Sequence, residues 1–153
     1  MASHGQDLEL YLQEVRARRA EMRESIGAVL DALAVPLGRT DVWPERVRAA
    51  LTELAHDFED HIGLTERPDG MFSDVLEGHP RLARSVEALL AEHASLREDL
   101  DGCLSMLDGD DVPTDLPAVR EAVTSLVGRL VRHRQRGSDL VYEAYAVDIG
   151  GQG

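Results

Sequence analysis

Apolar residues recur at helical spacing along nearly the whole chain, and no stretch alternates as a β-strand would. The spacing predicts four long helices, at about residues 7–33, 44–67, 80–107 and 117–145, with a short helical piece at 71–78. Segments rich in proline and glycine, such as AVPLG and ERPDG, separate them. We therefore expect an all-α protein that folds as an antiparallel up-down four-helix bundle.

The length of 153 residues fits one domain with a core of its own. We expect a single bundle domain over residues 1–153, with its core at about 7–145 and loose ends. Aromatic residues make up only 4% of the chain, so the core must consist mainly of Leu, Val and Ala. The single cysteine, Cys103, excludes an internal disulfide, and its helical context predicts a small buried residue.

The net charge is −13, from 29 acidic and 16 basic residues. A surface this acidic repels nucleic acid and anionic lipid, so neither is an expected partner. No apolar run approaches the roughly 20 residues of a membrane span, and the first residues, MASHGQDLEL, lack the apolar segment of a signal peptide. These features predict a cytoplasmic protein. They leave its oligomeric state open.

Three histidines stand on the apolar faces of three different predicted helices. His61 comes one turn after Phe58, His93 lies among leucines, and His133 comes one turn after Leu130. A buried imidazole needs a partner, so these are either separately hydrogen-bonded core residues or parts of one site. Neutral imidazole is the commonest metal ligand, and with carboxylates it suits iron, zinc or manganese.

The order of motifs around these histidines resembles that of bacterial hemerythrin-like (HHE cation-binding) proteins. The most specific segment is HIGLTERPDGMFSDVLEGHPRLARSVEALLAEH, and the last helix adds H…DLVYEAY..DIGG. The similarity covers about Leu51 to Gly151. It implies a four-helix bundle with a non-haem di-iron centre in its core. It also implies that this centre binds O2, NO or another small ligand, or senses iron or oxygen.

Three positions depart from the family's pattern. The carboxylates that would bridge two irons, one turn after the histidines of the second and fourth helices, are replaced by Thr65 and Gly137. The first helix would supply a histidine where this chain has Met22, after Glu21. Because Thr65 and Gly137 are small, we expect open volume beside the histidines. Open coordination positions are typical of catalytic metal sites rather than structural ones.

Other carboxylates are candidates to replace the missing ones, although a solvated carboxylate is the commoner case. Glu66 follows His61 by five residues, near a helix end that can turn its side chain inward. Asp139 lies six residues past the last histidine, and Gly137 permits a kink or π-bulge that would swing it inward. Glu21 offers a carboxylate from the first helix. The candidate metal ligands are therefore His61, Glu66, His93, His133, Asp139 and Glu21.

The charged residues next to His93 and His133 each have two possible roles. Glu92 points about 100° away from His93 on a helix, so it faces solvent or orients a group beyond the direct metal ligands. Arg132, Arg134 and Arg136 form a solvated or inter-helix pairing face, or one of them neutralises an anionic substrate.

Three functional hypotheses follow. The favoured one is a non-haem metal protein, with one or two iron ions and zinc or manganese as alternatives, that binds or activates O2 or another small ligand. A small organic substrate would make it an oxygen-using enzyme. The second hypothesis is reversible binding or sensing of O2, NO or iron without catalysis. The third is a metal-free helical interaction module. The motifs GxGxxG, GxxxxGK[ST], CxxC, HExxH and GxSxG are all missing from the sequence.

Overall fold

The structure, a computed structural model, describes residues 4–38, 42–108 and 115–146. Its helices are α1 (His4–Leu33), α2 (Trp43–Glu66), α3 (Met71–Gly78), α4 (Ala83–Leu107) and α5 (Leu116–Val141). A 3₁₀ turn at Pro80–Leu82 leads into α4, and a π-helical turn at Tyr142–Ala146 follows α5. The described ranges contain no strand. This confirms the all-α four-helix bundle.

The four long helices pack as two pairs. α1 lies mainly against α2, α4 lies mainly against α5, and contacts between α2 and α4 join the pairs. α1 also touches α5, which closes the fourth side of the bundle. The connections from α1 to α2 and from α4 to α5 are short, as expected for antiparallel neighbours.

Proline and glycine set the limits of α2, as predicted. Pro44 occupies the first turn, where its missing N–H costs nothing. The helix ends because Arg67, which precedes Pro68, has an extended backbone (φ −59°, ψ 154°). The turn then requires Gly70, because a Cβ there would lie 2.6 Å from the carbonyl oxygen of Leu64.

The last long helix differs from its sequence-based prediction at one point. α5 remains α-helical through Gly137, and the chain widens into a π-helical turn only at Tyr142–Ala146. A Cβ on Gly137 would meet nothing within 4 Å, so no close approach forces the helix to break there. The kink or π-bulge expected at Gly137 is therefore not found, and Asp139 is not swung inward by one.

The core consists of two apolar clusters with a layer of histidine rings between them. On α4, His93 lies between Leu89 of the smaller cluster and Leu96 of the larger one. On α5, His133 holds the equivalent place between the two clusters. The larger cluster contains Cys103, which is buried as predicted. The layer of histidine rings thus separates the two apolar clusters of the core.

The larger cluster gives a direct test of the packing. Leu54 is fully buried in it, whereas Leu30 on α1 is 47% exposed. We expect Leu54→Ala to lower the free energy of unfolding by about 2–5 kcal/mol, because it removes buried methyl groups and leaves a cavity. The same change at Leu30 should cost less than about 0.5 kcal/mol. Urea denaturation measures both, and equal losses would contradict this core.

No helix in the described ranges has both the length and the apolar content that crossing a bilayer requires. The cytoplasmic location stays a prediction. The single-domain extent of 1–153 stays a prediction as well. The ends that we expect to be loose lie largely outside the described residues.

Candidate metal centre

α2, α4 and α5 each contribute one histidine to the layer between the apolar clusters. The cluster formed by His61, His93 and His133, called the three-histidine cluster below, has one ring nitrogen of each residue within 4.8 Å of the others. The ring centroids are 4.8–5.5 Å apart. The Nε2 atoms of His61 and His133 are 3.4 Å apart. Three residues from distant parts of the sequence therefore meet in one place.

Two phenylalanines surround the histidine rings. Phe58, one turn before His61 on α2, lies 5.8–6.3 Å from all three ring centroids. Phe72 of α3 stacks on the ring of His93 at 5.7 Å from the other side. Both phenylalanines are buried, and the side chains of His93 and His133 are each only 2% exposed. The rings are therefore held in fixed positions, largely out of contact with water.

Several buried nitrogens of the cluster have no hydrogen-bond partner among the described residues. They are both ring nitrogens of His93 and the Nδ1 of His133. A buried polar atom without a partner is costly and rare in native proteins. A metal ion would satisfy the Nε2 of His93, and three imidazoles are a donor set that transition metals accept. The residues present therefore fit a bound metal ion.

The electrostatics keep the imidazoles neutral. Burial, with smaller contributions from the neighbouring His133 and Arg19, lowers the pKa of His61 to about 3. Burial, with His61 and His133 beside it, also lowers the pKa of His93 to about 3. Burial lowers the pKa of His133, against the opposing effect of Glu92. Neutral imidazole is the form that binds metal, so no proton has to be removed at neutral pH.

Carboxylates face the Nδ1 atoms of two of the rings. Glu66 Oε1 lies 3.5 Å from the Nδ1 of His93, and Glu92 Oε1 lies 3.6 Å from the Nδ1 of His133. Glu92 is also paired with Arg136. A carboxylate at Nδ1 favours the tautomer that carries its proton there and leaves the Nε2 lone pair available. The sequence left two roles open for Glu92, facing solvent or orienting another group. The structure supports the second role, because Glu92 faces a histidine on another helix.

Two of the candidate ligands lie away from the cluster. Glu21 is exposed and accepts a hydrogen bond from the Nη1 of Arg18 at 3.0 Å, within an acidic group on the surface between α1 and α2. Asp139 is exposed and accepts one from the Nε2 of Gln135 at 3.0 Å. Their assignment as metal ligands stays a prediction, and this geometry does not favour it.

A cavity of about 30 Å³ lies beside His61 and His133. Thr65 and Gly137 line it, which agrees with the open volume expected from their small side chains. Met22, at the α1 position where the resemblance implies a histidine, lines it too. The volume is enough for a small molecule of a few heavy atoms.

Sequence reasoning did not place Arg18 and Arg19 at this cavity, and it named Arg134 only as one of three arginines that could neutralise an anionic substrate. For Arg19, helical spacing contained the signal. Arg19 precedes the buried Met22 by three residues on α1, so the two share a face. Arg134 is adjacent to His133 in the sequence, and its side chain is only half-buried.

Comparison with known proteins gives one match. The family model described as "Hemerythrin: Hemerythrin HHE cation binding domain" matches residues 13–145, a range that includes all three histidines. No curated protein and no solved structure matches the chain significantly. With four long helices, a buried three-histidine cluster and a family match over most of its length, the chain belongs to the hemerythrin family of cation-binding helical domains.

Proposed function

We propose that this chain binds one iron ion through His61, His93 and His133 and presents it to a small ligand in the adjoining cavity. The meeting of three imidazoles from three helices carries this proposal, together with the buried Nε2 of His93, which has no hydrogen-bond partner among the described residues. Iron is the metal that the family resemblance implies, and imidazole is a suitable ligand for it. Zinc and manganese are the alternative ions.

The residues favour one ion over two. A pair of metal ions needs bridging carboxylates, and Thr65 and Gly137 stand where the family would supply them. The Thr65 hydroxyl donates to the carbonyl oxygen of His61 at 2.9 Å, so its proton is already used within α2. On α1, Met22 offers no ligand comparable to an imidazole. Glu21 and Asp139 are occupied at the surface.

The other residues control the surroundings of the ion. Phe58 and Phe72 exclude water from the rings. Glu66 and Glu92 hold protons at the Nδ1 atoms of the two histidines that they face. Non-haem iron with free coordination positions binds and activates O2 and similar small molecules.

Reversible binding or sensing is favoured over turnover of an organic substrate. The observation behind this choice is the small cavity of about 30 Å³, which accommodates a molecule of a few heavy atoms but not a larger organic substrate. A reversible change in the absorption spectrum on exposure to air would support binding or sensing. Oxidation of an added organic compound in steady state would support an enzyme instead.

Metal content tests the proposal. We expect close to one iron per chain by elemental analysis after growth in iron-supplemented medium. Close to two ions per chain would support a di-iron centre and contradict the single-ion site. Less than about 0.2 equivalents of iron, zinc and manganese together, with no uptake by the metal-free chain, would overturn metal binding altogether.

Replacing Glu92 tests the role of the carboxylates. We expect Glu92→Gln to weaken metal binding by about 10–100-fold, because the amide orients the His133 ring less well and does not raise its basicity. Competition with a chromophoric chelator measures this affinity. Glu87→Gln, at an exposed position on the same helix, is the matched control and should leave the affinity unchanged. Equal effects at both positions would mean that overall charge, not orientation, matters.

A further inference from the structure

Three arginines contribute to the otherwise mainly apolar wall of the cavity, although the chain as a whole carries a net charge of −13. Arg18 and Arg19 approach it from α1, and Arg134 approaches it from α5. Arg18 has carboxylate partners in Glu21, at 3.0 Å, and Asp60, at 3.7 Å. In the part of the chain that the structure describes, Arg19 and Arg134 form no ion pair.

The arginines without partners lie close enough to repel one another. Arg134 is half-buried, and the Arg19 and Arg23 guanidinium groups lie near it. Arg19 is half-buried as well, with Arg23 near it. The Nε of Arg134 is buried and has no hydrogen-bond partner among the described residues. These positive charges are therefore partly removed from water without a compensating negative charge.

Carboxylates are abundant in this chain, with 29 acidic residues. Other arginines near the site use them: Arg136 is paired with Glu92, and Arg97 binds Glu59 with two hydrogen bonds of 2.6 and 2.9 Å. Arg19 and Arg134 remain unpaired at the cavity although the chain has so many carboxylates. This indicates that an exchangeable anion takes the place that a carboxylate side chain would otherwise fill.

We propose that Arg19 and Arg134 bind the oxyanion group of a small carboxylate, the size of formate or acetate, in the cavity beside His61 and His133. A planar guanidinium donates paired, charge-assisted hydrogen bonds to such a group. The small cavity admits only a few heavy atoms, and Leu64 and Met71 in its wall can contact a methyl group.

The inference rests on the proposed function in one respect, the placement of the anion next to a metal ion. Three neutral imidazoles leave the charge of a divalent ion uncompensated, and a bound carboxylate would reduce it. The contacts to the arginines do not require the metal. Anion binding can therefore be measured on the metal-free chain and on the zinc-loaded chain separately.

Titration with sodium acetate and sodium formate at constant ionic strength tests this site, followed through the NMR signals of the arginine Nε–H groups. We expect saturable binding with a shift of the Arg134 signal, and weaker binding of inorganic phosphate, which is bulkier. Arg19→Gln and Arg134→Gln should each weaken acetate binding at least about tenfold, because each removes charge-assisted hydrogen bonds. Arg132→Gln, an exposed position on α5 with the same change in charge, should alter it less than about twofold.

The controls separate the possible outcomes. Arg134→Gln relieves repulsion among arginines, so its melting temperature should be no lower than that of the parent chain. If that variant fails to fold, Arg19→Gln carries the test. No saturation in the parent chain, or equal weakening by Arg132→Gln, would overturn the proposal. Acetate binding without metal uptake would refute the proposed function alone, and metal uptake without acetate binding would refute this inference alone.

Discussion

His93→Ala is expected to abolish tight metal binding, lowering the affinity by about 10²–10³-fold. Structural zinc sites with four protein ligands bind with about 10–16 kcal/mol, so losing one ligand removes roughly 3–4 kcal/mol. His93 is the most informative choice because its ring is buried and its Nε2 has no hydrogen-bond partner among the described residues. Zinc is a suitable probe, with affinity measured by competition against a chelator and iron content measured by elemental analysis.

Two comparisons sharpen this experiment. His61→Ala and His133→Ala should have effects of similar size, because one ion bound by three histidines depends on each of them. His56→Ala, at an exposed position on α2, should leave the affinity unchanged. Zinc at about 1,000 times its dissociation constant should stabilise the parent chain by about 4 kcal/mol and His93→Ala far less. If the three variants retain full metal content, the metal-free interaction module becomes the better hypothesis.

The metal-free chain is expected to lose stability steeply as the pH falls below about 6.5. The pKa of His61 and of His93 is about 3 in the folded state, against about 6.5 for unfolded histidine. Above pH 6.5 both states are neutral at these positions and the pH has no effect. Between pH 6.5 and 3 the unfolded chain takes up protons that the folded chain does not. Stability should then fall by about 1.4 kcal/mol per pH unit for each histidine.

Urea midpoints measured between pH 8 and pH 4 would show this dependence. The two histidines together give roughly 3 kcal/mol per pH unit, which is a large part of a typical stability of about 5–15 kcal/mol. A variant with glutamine at positions 61, 93 and 133 is the control, and its stability should change much less with pH. The same slope in the control and the parent chain would show that other groups cause the acid sensitivity.

The helices could be predicted from the sequence because their limits depend on local chemistry. The sequence predicted a short helix at residues 71–78, and α3 is found at Met71–Gly78. Pro68 and Gly70 act on the backbone next to them, so their effect is visible without the tertiary structure. The π-helical turn at Tyr142–Ala146 was not predicted. No proline or glycine within that segment marks it in the sequence.

The histidines and Glu66 could be brought to the site from the sequence, but the histidine that each carboxylate faces could not. Apolar neighbours on each helix predicted the inward direction of His93 and His133, and both are buried. The position of Glu92 depends on which helix lies beside α4, since it faces His133 on α5 and not its own neighbour His93. The place of Glu66 depends on where α2 ends. Contacts between helices determine both positions. The periodicity of a single helix carries no information about those contacts.

Because Met22 stands where the family would supply a histidine, α1 contributes no imidazole to the ion. An ion held by His61, His93 and His133 would cross-link α2, α4 and α5 between the two apolar clusters, and would leave α1 untethered. Yet α1 supplies Met22 and Arg19 to the wall of the cavity. A molecule entering that cavity would therefore press on the one long helix that the ion does not restrain. Occupancy of the site could in this way be transmitted to the outer surface of the bundle through displacement of α1.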